Sequence, residues 1–253
     1  MLRTASLLAA LLIVAACAPT TKRADSHRML GTNDVALTNL NLGIEYMRRG
    51  EYERALEKLD RARMADPSYV MIYNTYGVLF QHLGDPVRAE QNFKKALQLH
   101  PGESSTLNNY GRFLCQRGRM DEAQKAFASA AANPLYETPS IPIANAGACS
   151  LSAGQAAEAE KSFRRALELD PNLPNALLQM ASLTFAQAKY LPARGYLQRY
   201  VAASPHTAES LWLGIRIEQQ LGDRNTVSSY ALLLRNQFPD SNEAKQLRES
   251  GIK

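Results

Sequence analysis

Two residue types with different structural jobs keep one period along this chain. Glycines stand at Gly50, Gly84, Gly118, Gly154 and Gly222, at intervals of 34, 34, 36 and 68 residues, with Ala188 filling the gap. Prolines stand at Pro67, Pro101, Pro134, Pro171, Pro205 and Pro239, at intervals of 34, 33, 37, 34 and 34. The unit behind this period is plainest between Tyr73 and Pro101. Tyr73, Tyr76, Gly77 and Phe80 recur at helical spacing, Leu83-Gly84-Asp85-Pro86 interrupts them, and Ala89, Phe93 and Ala96 recur in a second helix. Gly84 supplies a chain reversal that a residue with a Cβ resists. Asp85 suits an N-cap, with Pro86 at the first helical position. Small Gly77, Ala89 and Ala96 let the two helices cross closely while the aromatic residues fill the space around them. Such a hairpin has an apolar edge that it cannot bury alone, so copies must stack on one another.

A 34-residue helix–turn–helix period resembles the tetratricopeptide repeat. The resemblance covers roughly residues 36–241 and implies an all-α superhelical solenoid of about six helix-turn-helix repeats. Its small-and-large pattern is carried by Leu42, Gly43, Tyr46, Ala55, Leu59 and Ala62 in the first copy and by Tyr110, Gly111, Leu114, Ala123, Phe127 and Ala130 in the third. The fourth keeps Ala146, Gly147, Ala159, Phe163 and Ala166, and the fifth keeps Met180, Ala181, Ala193 and Leu197. The sixth reads as degenerate, because Ile215 and Glu218 replace the small and large residues, as befits a terminal repeat that meets solvent on one side. Between the third and fourth copies, residues 133–142 carry three prolines and two additional residues, a loop expected to alter the superhelix angle. Residues 242–253 read as a polar tail or the end of a helix.

Residues 1–16 read as a lipoprotein signal peptide: Arg3 supplies a positive n-region and Ser6 to Ala16 a short apolar stretch. That stretch is too short for a comfortable membrane span. Val14-Ala15-Ala16-Cys17 resembles the bacterial lipobox, which implies cleavage before Cys17 and acylation of its thiol. An ordinary signal peptide followed by an unrelated cysteine is the competing reading. Ala18, rather than aspartate, follows the lipidated residue, and for a Gram-negative chain this implies the outer membrane, facing the periplasm. Residues 17–35 then form the lipidated N-terminus and a polar, flexible tether.

Two cysteines remain, Cys115 and Cys149. In a periplasmic compartment a pair favours oxidation. Cys115 is the twelfth residue of the third repeat and Cys149 the tenth of the fourth, so both lie near the C-terminal ends of adjacent first helices. A Cys115–Cys149 disulfide is expected, against the alternative of two buried free thiols.

The formal charge of +5 and pI near 9.1 are modest. Basic residues such as Arg48, Arg49, Lys94, Lys95, Arg164 and Arg165 share helices with acids and read as solvated faces. No arginine-rich run with interleaved aromatics suggests a nucleic-acid track. His27, His82, His100 and His206 are scattered without metal-ligand spacing, and Walker, Rossmann and Gly-x-Ser-x-Gly motifs are absent. The expectation is a non-enzymatic protein with no cofactor, metal, nucleic acid or small-molecule substrate.

Function then falls to the concave surface, where tetratricopeptide arrays hold partner segments. In the family, positions 2, 5, 9 and 12 of each first helix face that groove. In the first repeat these are Leu37, Leu40, Ile44 and Met47, beside the packing residues Leu42, Gly43 and Tyr46, so this helix is apolar nearly all round and its second face needs a partner. The second repeat offers Met71, Asn74, Val78 and Gln81, and the third turns polar with Ser105, Asn108, Arg112 and Cys115. Either an external segment lies on the stripe or residues 24–34 fold back over it.

Lipobox, tether and repeat count together resemble the type IV pilus biogenesis lipoprotein family called PilW or PilF. That resemblance implies an outer-membrane pilotin, which binds the pilus secretin, promotes its assembly and supports pilus stability. The alternative is a periplasmic scaffold lipoprotein that recruits peptidoglycan hydrolases or outer-membrane assembly factors.

Overall fold

In a computed structural model that describes residues 33–252, each glycine of the period follows the end of a first helix and each second helix ends two residues before the next proline. Six hairpins result: α1 (Asp34–Arg48) with α2 (Tyr52–Ala65), α3 (Val70–His82) with α4 (Pro86–Leu99), and α5 (Ser104–Gln116) with α6 (Met120–Ala132). They continue as α7 (Ser140–Ser152) with α8 (Ala156–Leu169), α9 (Pro174–Ala186) with α10 (Tyr190–Ala203), and α11 (Ala208–Leu221) with α12 (Arg224–Gln237). A further helix, α13 (Asn242–Glu249), follows. The fold is an all-α repeat solenoid, with no strand among the described residues. None of the described helices is long and apolar enough to cross a membrane.

The turns form as their residues dictate. Gly84 sits at φ +71, the Asp85 carboxylate accepts from the Arg88 backbone N–H at 2.9 Å, and Pro86 opens α4. Ala188 occupies the equivalent left-handed turn at φ 58 despite its Cβ.

Within a hairpin, a small residue on the first helix faces a large one on the second. A Cβ at Gly77 would lie 2.6 Å from the Phe93 ring, and one at Gly111 would lie 2.7 Å from Phe127. The sixth repeat is not degenerate in this respect. It exchanges the partners, with Ile215 in the small position and Ala231 in the large one, both fully buried in one cluster. Gly214, one residue earlier, gives way to Tyr230.

The residue before each small one reaches back to the preceding repeat. The Tyr76 hydroxyl donates to Asp60 on α2 at 2.6 Å, and that of Tyr110 donates to Glu90 on α4 at 3.0 Å. At Ala146 the side chain is short, and Gln124 from α6 fills the place, donating to the Ala146 carbonyl and the Ser150 hydroxyl. Leu42 has no preceding repeat to meet among the described residues. It is 41% exposed, so its expected packing role is corrected.

Two boundaries also shift. Asn33 caps α1 by accepting from the Val35 N–H at 2.8 Å, so residues 34 and 35, expected in the tether, are helical. Residue 242 follows residue 208 by one 34-residue period, and α13 is a seventh first helix that buries Ala244 and Leu247 against α11 and α12. Residues 1–32, with the expected signal peptide, Cys17 and most of the tether, lie outside the described residues.

The apolar core is divided. One cluster runs through α1 to α6 and takes in Cys149, a second runs from α7 to α11, and a third joins α11, α12 and α13. The first division coincides with the proline-rich loop, which Asn133 ties back by donating to the Ser104 hydroxyl at 3.0 Å.

Candidate functional site

The backbones of successive first helices approach one another from α1 to α13, whereas among the described residues those of successive second helices stay apart. An array held closer along one layer than the other curves, and the first helices line its inner face. Positions 2, 9 and 12 of all six first helices are exposed or half-exposed. Leu37, Ile44, Met47, Met71 and Val78 therefore stand half-exposed, each packed on one side against the first cluster.

Position 5 behaves differently, and here two expected groove residues are corrected. Leu40 is 3% exposed and Asn74 is buried too. The superhelical turn rotates this position into the seam between neighbouring first helices, where Asn108, Ala144 and Leu178 are also buried. Leu40 is a core residue. Asn74 serves the seam: its Oδ1 accepts from Asn109 Nδ2 at 3.1 Å.

That bond belongs to a row of amide pairs that the groove positions alone did not reveal. Asn145 Nδ2 donates to Asn108 Oδ1 at 2.8 Å, and Gln81 Nε2 donates to Gln116 Oε1 at 2.5 Å. The sequence signal was present: Asn74 and Asn108 are 34 apart, and Asn109 and Asn145 keep the 36-residue interval of the glycines around them. Each amide satisfies another, so polar side chains sit in the seam without the penalty of a buried orphan.

Cys115 on α5 and Cys149 on α7 face each other across the same seam, with Cα atoms 5.8 Å apart and sulfurs 2.17 Å apart. That Cα separation lies in the range a disulfide spans. The Met120 sulfur lies 3.2 Å from that of Cys149. A depression of about 510 Å³ opens beside them, floored by Met120 and Phe127 and edged by Arg112, Gln116, Asn145 and Ser152. Farther along, the Arg216 guanidinium lies over the Phe185 ring, 4.5 Å from its centroid.

Most ion pairs on the outer faces lie within one helix or its cap, but two arginines, Arg119 and Arg194, join one repeat to the next. Glu90 accepts from Arg119 at 2.8 Å, from Lys94 at 2.8 Å and from Tyr110. Arg119 and Lys94 hold its carboxyl down to about 2, and burial followed by the Glu90 charge pushes Tyr110 up to about 12. Arg194 of the fifth repeat pairs with Glu218 of the sixth, which is buried, and the pair raises the guanidinium above its ordinary range. No group of three His, Cys, Asp or Glu side chains among the described residues could hold a metal ion. What the inner face offers is shape, apolar area and hydrogen-bond donors.

Comparison with known proteins gives this architecture relatives. Models of the tetratricopeptide repeat match residues 40–104, 80–133 and 144–173. The type IV pilus assembly protein PilF of Pseudomonas aeruginosa is 33% identical over 218 residues, which is 86% of this chain and 86% of that protein. A solved structure from the functional characterization of Pseudomonas aeruginosa PilF superposes with a TM-score of 0.73 at 33% identity, covering 87% of this chain and 99% of the other. The crystal structure of PilW, a widely conserved type IV pilus biogenesis factor, gives 0.72 at 31% identity, over 85% of this chain and 99% of the other.

Proposed function

Because this chain belongs to the tetratricopeptide-repeat family of type IV pilus biogenesis factors that includes PilF and PilW, we propose that it is a non-enzymatic, lipid-anchored adaptor of the outer membrane. In this reading it binds the pilus secretin through its concave face and promotes secretin assembly. The observation that carries the reading is the half-exposed apolar stripe of Leu37, Ile44, Met47, Met71 and Val78 on the inner face of the first two repeats. A stripe of that kind suits the apolar side of a partner segment. Cys17 is the acylated residue, and the family likeness together with the lipobox supports it. The Cys115–Cys149 pair is a disulfide in the oxidising periplasm, joining α5 of the third repeat to α7 of the fourth within the first core cluster.

Ile44→Glu tests the groove. It places a carboxylate on the half-exposed stripe, so helicity and thermal midpoint hold while secretin capture and secretin multimers fall sharply. Arg216→Glu, on the inner face of the sixth repeat, leaves both unchanged. Normal multimers from a folded Ile44→Glu protein would remove the stripe from the partner site. A pull-down that recovers peptidoglycan hydrolases in place of a secretin would favour the scaffold alternative. Fatty-acid labelling that persists on Cys17→Ser would end the lipoprotein reading.

A further inference from the structure

We propose that the depression between α5 and α7 is a carboxylate subsite of the groove, which receives an aspartate or glutamate side chain of an extended partner segment. This rests on the reading of the concave face as the partner groove, and adds the chemistry of the segment it holds.

Three observations point there. First, Arg112 is exposed at position 9 of the third repeat and meets no carboxylate within ion-pair distance among the described residues. Arginines on the other faces are commonly paired: Arg49 with Glu45, Arg88 with Asp85, Arg119 with Glu90 and Arg164 with Glu160.

Second, the amide network around Arg112 is poled. Gln116 uses its carbonyl oxygen to accept from Gln81, which leaves both of its N–H groups free. Asn145 gives one N–H to Asn108 and keeps the other. The Ser152 hydroxyl has already given its proton to the Cys149 carbonyl at 2.7 Å. The free groups at this rim therefore include the one charged group, a guanidinium fork, with amide N–H donors of Gln116 and Asn145 beside the neutral acceptors Asn145 Oδ1 and Ser152 Oγ, over a floor of Met120 and Phe127. A fork of N–H donors matches a carboxylate bidentately, and a partly dehydrated floor strengthens such a bond.

Third, the inner face offers no competing acid nearby. At positions 2 and 9 of the six repeats the cations are Arg112 and Arg216, and the carboxylate is Glu209, three repeats away from Arg112. The order along the groove is an apolar stripe in the first two repeats and then this donor cluster in the third. The segment it fits carries an apolar stretch with an acidic residue to one side of it.

The test is selection of random dodecapeptides displayed on phage against the full chain in detergent, followed by synthesis of the winners. Apolar residues flanked on one side by aspartate or glutamate should be enriched. Changing that acid to its amide should weaken binding about tenfold. Arg112→Gln, with unchanged circular dichroism, should abolish the acid preference, and Arg112→Glu should select lysine or arginine in its place. Apolar peptides that Ile44→Glu blocks, but that show no acid preference and no response to Arg112→Gln, would overturn the subsite and leave the groove standing. Failure to select any peptide would overturn both. Vesicles of phosphatidylglycerol that bind through Arg112, where acidic peptides do not, would assign the cluster to a headgroup phosphate and overturn the peptide reading.

Discussion

Replacing Gly77 with alanine sets two effects against each other, and the structure decides between them. Glycine inside a helix costs about 1 kcal/mol relative to alanine, so propensity alone favours the change. The new Cβ, however, would lie 2.6 to 2.8 Å from three carbons of the Phe93 ring, and Phe93 is fully buried. Overpacking of that kind costs about 1–3 kcal/mol, which leaves Gly77→Ala destabilised by about 1 kcal/mol. Phe93→Leu alone removes ring volume that nothing else fills and costs about 1–1.5 kcal/mol. Together the two changes recreate the Ala181 and Leu197 arrangement that the fifth repeat already uses. The double variant should therefore fall within about 0.5 kcal/mol of the parent, a coupling of roughly 2 kcal/mol. Urea unfolding of the four proteins, followed by circular dichroism and compared at one denaturant concentration, measures it. Losses that simply add, within about 0.5 kcal/mol, would refute the claim that small and large residues are matched in pairs.

Ala188→Gly should stabilise the protein by about 0.5–1 kcal/mol, since it relieves a left-handed alanine at φ 58 and gives back part of that gain to unfolded-chain entropy. A lower thermal midpoint would contradict this. The depressed Glu90 carboxyl gives stability that is complete above the unfolded value near 4.5 and is lost as pH falls toward about 2. Glu90→Gln should thus cost about 1–2 kcal/mol at neutral pH, after allowance for partial exposure, and almost nothing at pH 2. A difference independent of pH would exclude the linkage. Cys115 and Cys149 should resist alkylation until a reductant is added, and reduction should lower stability by about 2–4 kcal/mol. Complete alkylation without reductant would show two free thiols.

The turn glycines, the caps and the Gly–Phe pairs were legible because each is decided within one hairpin. Gly84, Asp85 and Pro86 act over three adjacent residues, and the period repeats that local geometry down the chain. What escaped was whatever depends on how hairpins are set against each other. Leu42 carries a packing residue's identity, but its partner surface would belong to a preceding repeat. Leu40 lies on the groove side of an isolated helix and enters a seam only when the superhelix turns. Ile215 and Ala231 each look wrong singly, and they are right only as an exchanged pair. The tail hid α13 because polar Asn242, Glu243 and Lys245 mask the two residues, Ala244 and Leu247, that decide its docking.

Second helices whose backbones stay apart have a mechanical consequence. Opening the inner channel strains the first-helix layer and the junctions where each second helix packs on the next first helix, while the backbones of successive second helices stay apart, so the array bends as a leaf spring stiffer on its inner side. Its stiffness is uneven. The amide pairs from Asn74 to Asn145 and the cysteine pair beside them all cross the inner layer between the second and fourth repeats. Bending should therefore concentrate beyond them. The middle of the channel would hold a fixed width while the ends flex around cargo of different girth.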